Sequence, residues 1–177
     1  MKKRALLLAG ALIALGAAWG GWHFFHRSSA DSAEPQQRQD SFLPARTLKD
    51  EQGTEVKLSD FAGGPVIILS WASWCPFCQE DLAFVGVMAK EFSGKAVFIV
   101  IDRQESPESV LAIRKRVRVP DNAIFLFDPD DGFYQAIKGF SMPEMVFVDR
   151  RGLIRFRRRG PTRYEEMRRR VEDLIAL

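Results

Sequence analysis

An α/β sandwich with a mixed sheet is the fold that this sequence predicts. Three observations carry the prediction. Two continuous apolar runs, Val66–Trp71 and Val97–Ile101, have the length of strands buried on both faces. Two stretches with helical periodicity, 76–92 and 106–117, alternate with those runs. Later, Met145–Val148 and Leu153–Phe156 flank Asp149-Arg150-Arg151-Gly152, the pattern of an antiparallel hairpin. With 177 residues, 46% of them apolar, the chain is long enough for one domain with a real core plus extra segments.

Taken in order, the chain opens on a basic tetrad, Met1-Lys2-Lys3-Arg4, followed by eighteen uncharged residues, Ala5–Trp22. A signal-peptide core spans roughly 7–15 residues, whereas about 18 begin to suffice for a membrane helix. The length favours an uncleaved anchor. The small-residue sites Ala14-Leu15-Gly16 and Gly16-Ala17-Ala18 keep a cleaved signal open. Basic residues stay on the cytoplasmic side, so both readings export the remainder of the chain. Residues 1–26 are therefore expected to be an anchor or signal. Residues 27–41 are polar and read as a flexible linker, and 42–177 as the folded domain.

Within that domain, Phe42–Leu48 and Thr54–Leu58 read as short strands around the turn-rich Asp50-Glu51-Gln52-Gly53. Ser59-Asp60-Phe61 and Gly63-Gly64-Pro65 connect them to the first buried run. The helix from Pro76 places Leu82, Val85, Val87, Met88 and Phe92 on or near one face. The next helix has Ser106 as N-cap and Pro107 at its first position. Ala123–Phe127 reads as a third strand, Asp130–Ile137 as a short helix or turn, and Tyr164–Leu177 as a closing amphipathic helix.

Cys75 and Cys78 are the only cysteines. They cannot complete a four-ligand zinc site, and the only histidines, His23 and His26, lie far off in sequence. A permanent bridge across so short a loop would remove little entropy from the unfolded chain. A dithiol that opens and closes fits better, because a strand precedes the pair and a helix comes after it. Cys75 falls at the helix N-cap and Pro76 at the first position, where a missing N–H costs nothing. Unpaired backbone N–H groups and the helix dipole favour a thiolate there, so Cys75 is expected to have a depressed pKa. Cys78, one turn on, shares its face. The expected roles are Cys75 as the exposed attacking thiol and Cys78 as the resolving one.

The segment SWASWCPFC resembles the active site of the thioredoxin superfamily. More narrowly, residues 42–177 are similar to the TlpA/ResA-like group of exported, often membrane-anchored thiol–disulfide oxidoreductases. Ser59-Asp60-Phe61, Trp71-Ala72-Ser73-Trp74, and Ser141-Met142-Pro143 before a strand with Asp149 and Gly152 carry the likeness. It implies a thioredoxin-like three-layer sandwich and a redox-active Cys75–Cys78 disulfide. By the same resemblance Pro143 is a cis-proline and the Met142 backbone pairs with a substrate strand. From sequence alone, Met142-Pro143 reads equally as a strand start. Trp71 and Trp74 read as part packing and part site wall, and Phe77 as a surface cap or an apolar-substrate contact.

The sequence departs from that group in places. Asp81 and Ala83 stand where it usually has glutamate and proline, and Glu144 where it commonly has threonine. Asp81 is thus a candidate proton handler, although a first-turn charge favouring the helix dipole is the preferred reading of both Glu80 and Asp81. Glu144 is expected near the rim, where an acid would alter which partners dock.

Between Arg150 and Arg170, ten arginines face only Glu165 and Glu166. A solvated hairpin edge and helix face explain them. A sharper reading draws Arg157, Arg158 and Arg159 to anionic headgroups. The net charge of +3 is mild, and an exported domain is not expected to meet nucleic acid. The expected function is therefore an exported reductase of client-protein disulfides, recharged by a membrane thiol electron donor and needing no cofactor. The resemblance implies apocytochrome c as one client type. A DsbA-like oxidase, a peroxiredoxin-like peroxidase and a non-catalytic anchored binding module are the alternatives.

Overall fold

The computed structural model describes residues 41–177. The expected anchor and nearly all of the expected linker lie outside the described residues. Among the described residues no helix is long and apolar enough to cross a membrane. Among the described residues eight strands form one sheet in the order β1-β8-β7-β4-β5-β6-β2-β3. They are β1 (Ser41–Phe42), β2 (Thr47–Asp50), β3 (Glu55–Lys57), β4 (Val66–Trp71), β5 (Val97–Arg103), β6 (Ala123–Asp128), β7 (Glu144–Val148) and β8 (Leu153–Arg159). The helices are α1 (Pro76–Glu91), α2 (Pro107–Val117), α3 (Gly132–Ala136) and α4 (Tyr164–Ile175), with a 3₁₀ turn at Leu58–Phe61. β4, β5 and β6 run parallel, and the other pairs are antiparallel.

The period of two along each central strand divides the interior into two cores. Ile67, Leu69 and Trp71 of β4 join Phe98 and Val100 of β5 and Met145 and Phe147 of β7 under α1, α2 and α4. Val66, Ile68, Ile99, Ile101, Val146 and Val148 face the other way, toward Leu58 of the 3₁₀ turn and Phe133 and Tyr134 of α3. The result is the expected three-layer sandwich with a mixed sheet. α2 begins as expected, with Ser106 Oγ accepting from the Ser109 N–H at 3.4 Å.

The entry to the domain differs from the expectation. Ser41, expected in the linker, already pairs with Ile154. Phe42–Leu48 is not one strand, because Pro44 has no N–H to offer and the chain leaves the sheet at Phe42. It rejoins on the far edge as β2, pairing with β6 and β3.

Glu144 and Arg157 are a second correction. Neither reaches solvent: both are buried and ion-paired with each other, and Arg157 Nη2 also donates to the Ile137 carbonyl. Glu144 Oε2 accepts from the Phe140 N–H at 2.9 Å. The carboxylate is thus a strut beneath the 138–143 loop, not a docking charge on the rim. Arg157 is likewise not available to a membrane surface. Breaking a buried pair by removing one partner leaves the other charged and unsolvated, so Arg157→Ala should cost about 3–5 kcal/mol. Exposed Arg151→Ala should stay within about 0.5 kcal/mol. Urea unfolding of the two variants checks the contrast, and equal losses would refute it.

Candidate active site

β4 delivers the chain to the site. Its last residue, Trp71, is fully buried, and five residues later α1 begins. Cys75 is the N-cap in an extended conformation, with Pro76 at the first helical position. The Cys75 Sγ accepts from the Cys78 N–H at 3.2 Å, so the sulfur takes one of the donors that a helix start leaves unpaired. The two cysteines form a disulfide with Cα atoms 5.2 Å apart. Both thiols lie on one turn, and Cys75 is less open than expected. It is 5% exposed and Cys78 is 0% exposed, since both sulfurs pack into the α1 core beside Trp71 and Leu82.

Exposed aromatic side chains flank the two cysteines in sequence and lie in the loop before Pro143. Trp74 is 67% exposed, Phe77 59% and Phe140 83%. Pro76 is exposed as well. Phe140 was not singled out from sequence; its pointer was an aromatic residue in the Gly139-Phe140-Ser141 turn, three residues before Pro143.

The Met142–Pro143 bond is cis. Pro143 is buried, and Met142 packs against the cluster that holds both cysteines. Ser70 pairs with Glu144, so the register continues with Pro143 level with Trp71 at the end of β4. Tyr134 Oη donates to the Ser141 carbonyl at 2.8 Å and fixes the approach to the proline. Gly139 lies against the Tyr134 ring so closely that a Cβ there would overlap it.

Asp81 requires a correction. It lies beyond the first turn of α1 and is 1% exposed, so it is not a solvated charge at the helix start. Its Oδ1 accepts from the Thr162 N–H at 3.2 Å. Desolvation pushes its pKa up to about 7, against the lowering effect of that bond. It stands three residues after Cys78, on the same helical face. Glu80, by contrast, is exposed.

Glu105 also escaped the sequence. Its carboxylate accepts from both the N–H and the hydroxyl of Ser73, two residues before Cys75. That contact spans 32 positions, and no local pattern reveals it.

Comparison with known proteins agrees with this geometry. The family model described as Redoxin matches residues 37–175. The thiol:disulfide interchange protein DsbE of Allochromatium vinosum is 28% identical over 177 residues, covering 98% of this chain and 93% of its own. The thioredoxin-like protein YneN of Bacillus subtilis is 22% identical, covering 93% and 96%. Among solved structures, a secreted Mycobacterium tuberculosis disulfide oxidoreductase superposes with a TM-score of 0.66 at 20% identity, covering 73% of this chain and 96% of that one. A dithiol at a helix start, on this fold and with these relatives, is exchange machinery: the chain belongs to the Redoxin family and is a thiol–disulfide oxidoreductase of thioredoxin-like fold.

Proposed function

We propose that the chain is an exported reductase of protein disulfides, tethered by its N-terminal segment. The observation that carries the chemistry is the Cys78 N–H donating to Cys75 Sγ at the start of α1. The same donor and the helix dipole favour a Cys75 thiolate in the reduced chain. That thiolate attacks one sulfur of a client disulfide. A mixed disulfide forms, and the client's other sulfur leaves as a thiolate. The Cys78 thiolate then attacks Cys75 Sγ, releasing the second client thiolate and leaving the Cys75–Cys78 disulfide. Two electrons pass to the client, whose thiolates take up two protons. A membrane thiol donor returns the chain to the dithiol state.

Asp81 suits proton handling during the second attack. A carboxyl with a pKa of about 7 can accept the Cys78 proton near neutral pH and give it up again. Trp74, Phe77 and Phe140 form an apolar rim for an extended client segment, whose backbone pairs with Met142. Cytochrome c precursors, with their Cys-X-X-Cys-His sites, are one client type of this description. Export rests on the basic start and the uncharged Ala5–Trp22 stretch. Outside the cytoplasm disulfides persist, and a dedicated reductant has work to do.

Cys75→Ala should bring insulin reduction down to the uncatalysed rate. Cys78→Ala in cells should accumulate clients as mixed disulfides on Cys75. Equilibration with glutathione should place the dithiol on the reducing side; a strongly oxidising potential would reverse the proposed direction.

The raised Asp81 pKa also predicts how stability depends on pH. The ordinary aspartate value is 3.8 and the folded one about 7. Between them the native state holds a proton that the unfolded chain releases, so stability falls as pH rises through this window and levels off above it. Asp102, also raised to about 7, slopes the same way. Asp81→Asn should therefore flatten part of the decline between pH 5 and 8 in urea titrations of the oxidised protein. An undiminished slope would show that ionising Asp81 costs the fold nothing.

A further inference from the structure

Ser73 is held through every polar group it has. Its N–H and hydroxyl both donate to the Glu105 carboxylate, at 2.5 Å each. Its carbonyl accepts from Gln79 Nε2 at 2.9 Å. Gln79 stands directly after Cys78, and its Oε1 accepts from Arg116 Nη2 of α2 at 2.6 Å. Glu105 is itself fixed, because its N–H donates to Asp102 Oδ2 at 3.0 Å. Asp102 is buried at the end of β5, paired in register with Trp71. Between them Gln104 takes a φ of +61°, a left-handed conformation that a non-glycine residue keeps only where its surroundings impose it. The loop after β5 thus turns back and grips the segment that enters the dithiol.

That segment has little else to hold it. Residues 72–75 belong to neither β4 nor α1, and their one internal backbone bond runs from the Cys75 N–H to the Ala72 carbonyl at 3.2 Å. Disulfide exchange is demanding of position, since the attacking, central and leaving sulfurs must align. A misplacement of about 1 Å can cost on the order of 100-fold in rate.

We propose that Glu105 is a positioning residue for thiol–disulfide exchange: by clamping Ser73 it sets the Cys75 sulfur and the Trp74 side chain at the mouth of the site. It touches neither sulfur nor client and acts through the Ser73 backbone. Burial, with the Glu105 side chain next in effect, raises the Asp102 pKa to about 7. The inference rests on dithiol exchange itself and not on its direction or client.

The test measures how fast dithiothreitol reduces the Cys75–Cys78 disulfide of the full chain, by acid quenching, alkylation and mass spectrometry. Glu105→Ala should slow reduction about 10–100-fold, the scale of a misplaced reacting group, while the urea midpoint stays near the parent's. Glu105→Gln keeps an oxygen acceptor for the Ser73 N–H and should recover most of that rate. Ser73→Ala should cost less, and it should cost nothing further in the Glu105→Ala background, as expected for two residues in one contact. A Glu105→Ala rate within twofold of the parent would overturn the proposal. So would a Glu105→Gln rate as slow as that of alanine, or full additivity with Ser73→Ala. If Glu105→Ala does not fold, Ser73→Ala decides: a threefold or greater loss supports the clamp and an unchanged rate refutes it. A parent that dithiothreitol reduces normally but that leaves insulin untouched would sink the client-reductase reading and leave the clamp standing.

Discussion

β4 buries all six of its residues, and a strand with no wet face must be paired on both edges and covered on both sides. β5 and β7 supply the edges. α1, α2 and α4 cover one face, and the 3₁₀ turn with α3 covers the other. Each large side chain so buried contributes about 1.5–3 kcal/mol before ordering costs, so this strand cannot shift register cheaply. Its end is therefore a fixed point. The chain leaves Trp71, turns through Ala72–Trp74 and starts α1 on the face it has just helped to build. A thiol at that helix start receives an electrostatic setting that packing, rather than any dedicated charged side chain, has provided.

The opposite wall of the site obeys a different logic. The 138–143 loop packs Met142 against both cores and buries Pro143. It is held by polar struts: Tyr134 to the Ser141 carbonyl, Glu144 to the Phe140 N–H, and Arg157 to Glu144 and the Ile137 carbonyl. The close fit of Gly139 to the Tyr134 ring sets the height of the loop. Phe140, with its backbone held below, has its side chain left outside. An apolar core fixes the end of β4, and a buried ionic network positions the proline.

What could be read from the sequence divides along the same line. The β4–α1 junction, the Cys75 cap, the Ser106 cap and the late hairpin were legible because each is written in neighbouring residues through period, proline position and turn chemistry. Glu144 and Arg157 were misread as surface charges, since a charged residue shows its partner only once the chain has folded. Glu105 was missed for the same reason, its partner lying on another strand's exit. Asp81 reads from sequence as a first-turn charge favouring the helix dipole, because its position in the helix is visible and the cover that Thr162 and α4 bring is not. The break at Pro44 was the one local signal that the strand pattern around it concealed.

β8 carries three arginines in a row, and the pleat turns their side chains alternately to the two faces of the sheet. Arg157 and Arg159 approach Glu144, while Arg158 Nη2 reaches the Pro161 carbonyl at 3.0 Å on its own side. Part of the positive charge in this run is thus internal, with the Arg157 cation inside the protein neutralised by the Glu144 anion beside it. Recharging this surface for solubility or crystallisation has to proceed side chain by side chain. Replacing the run as a block would strip Glu144 of its counterion and loosen the proline loop along with the charge.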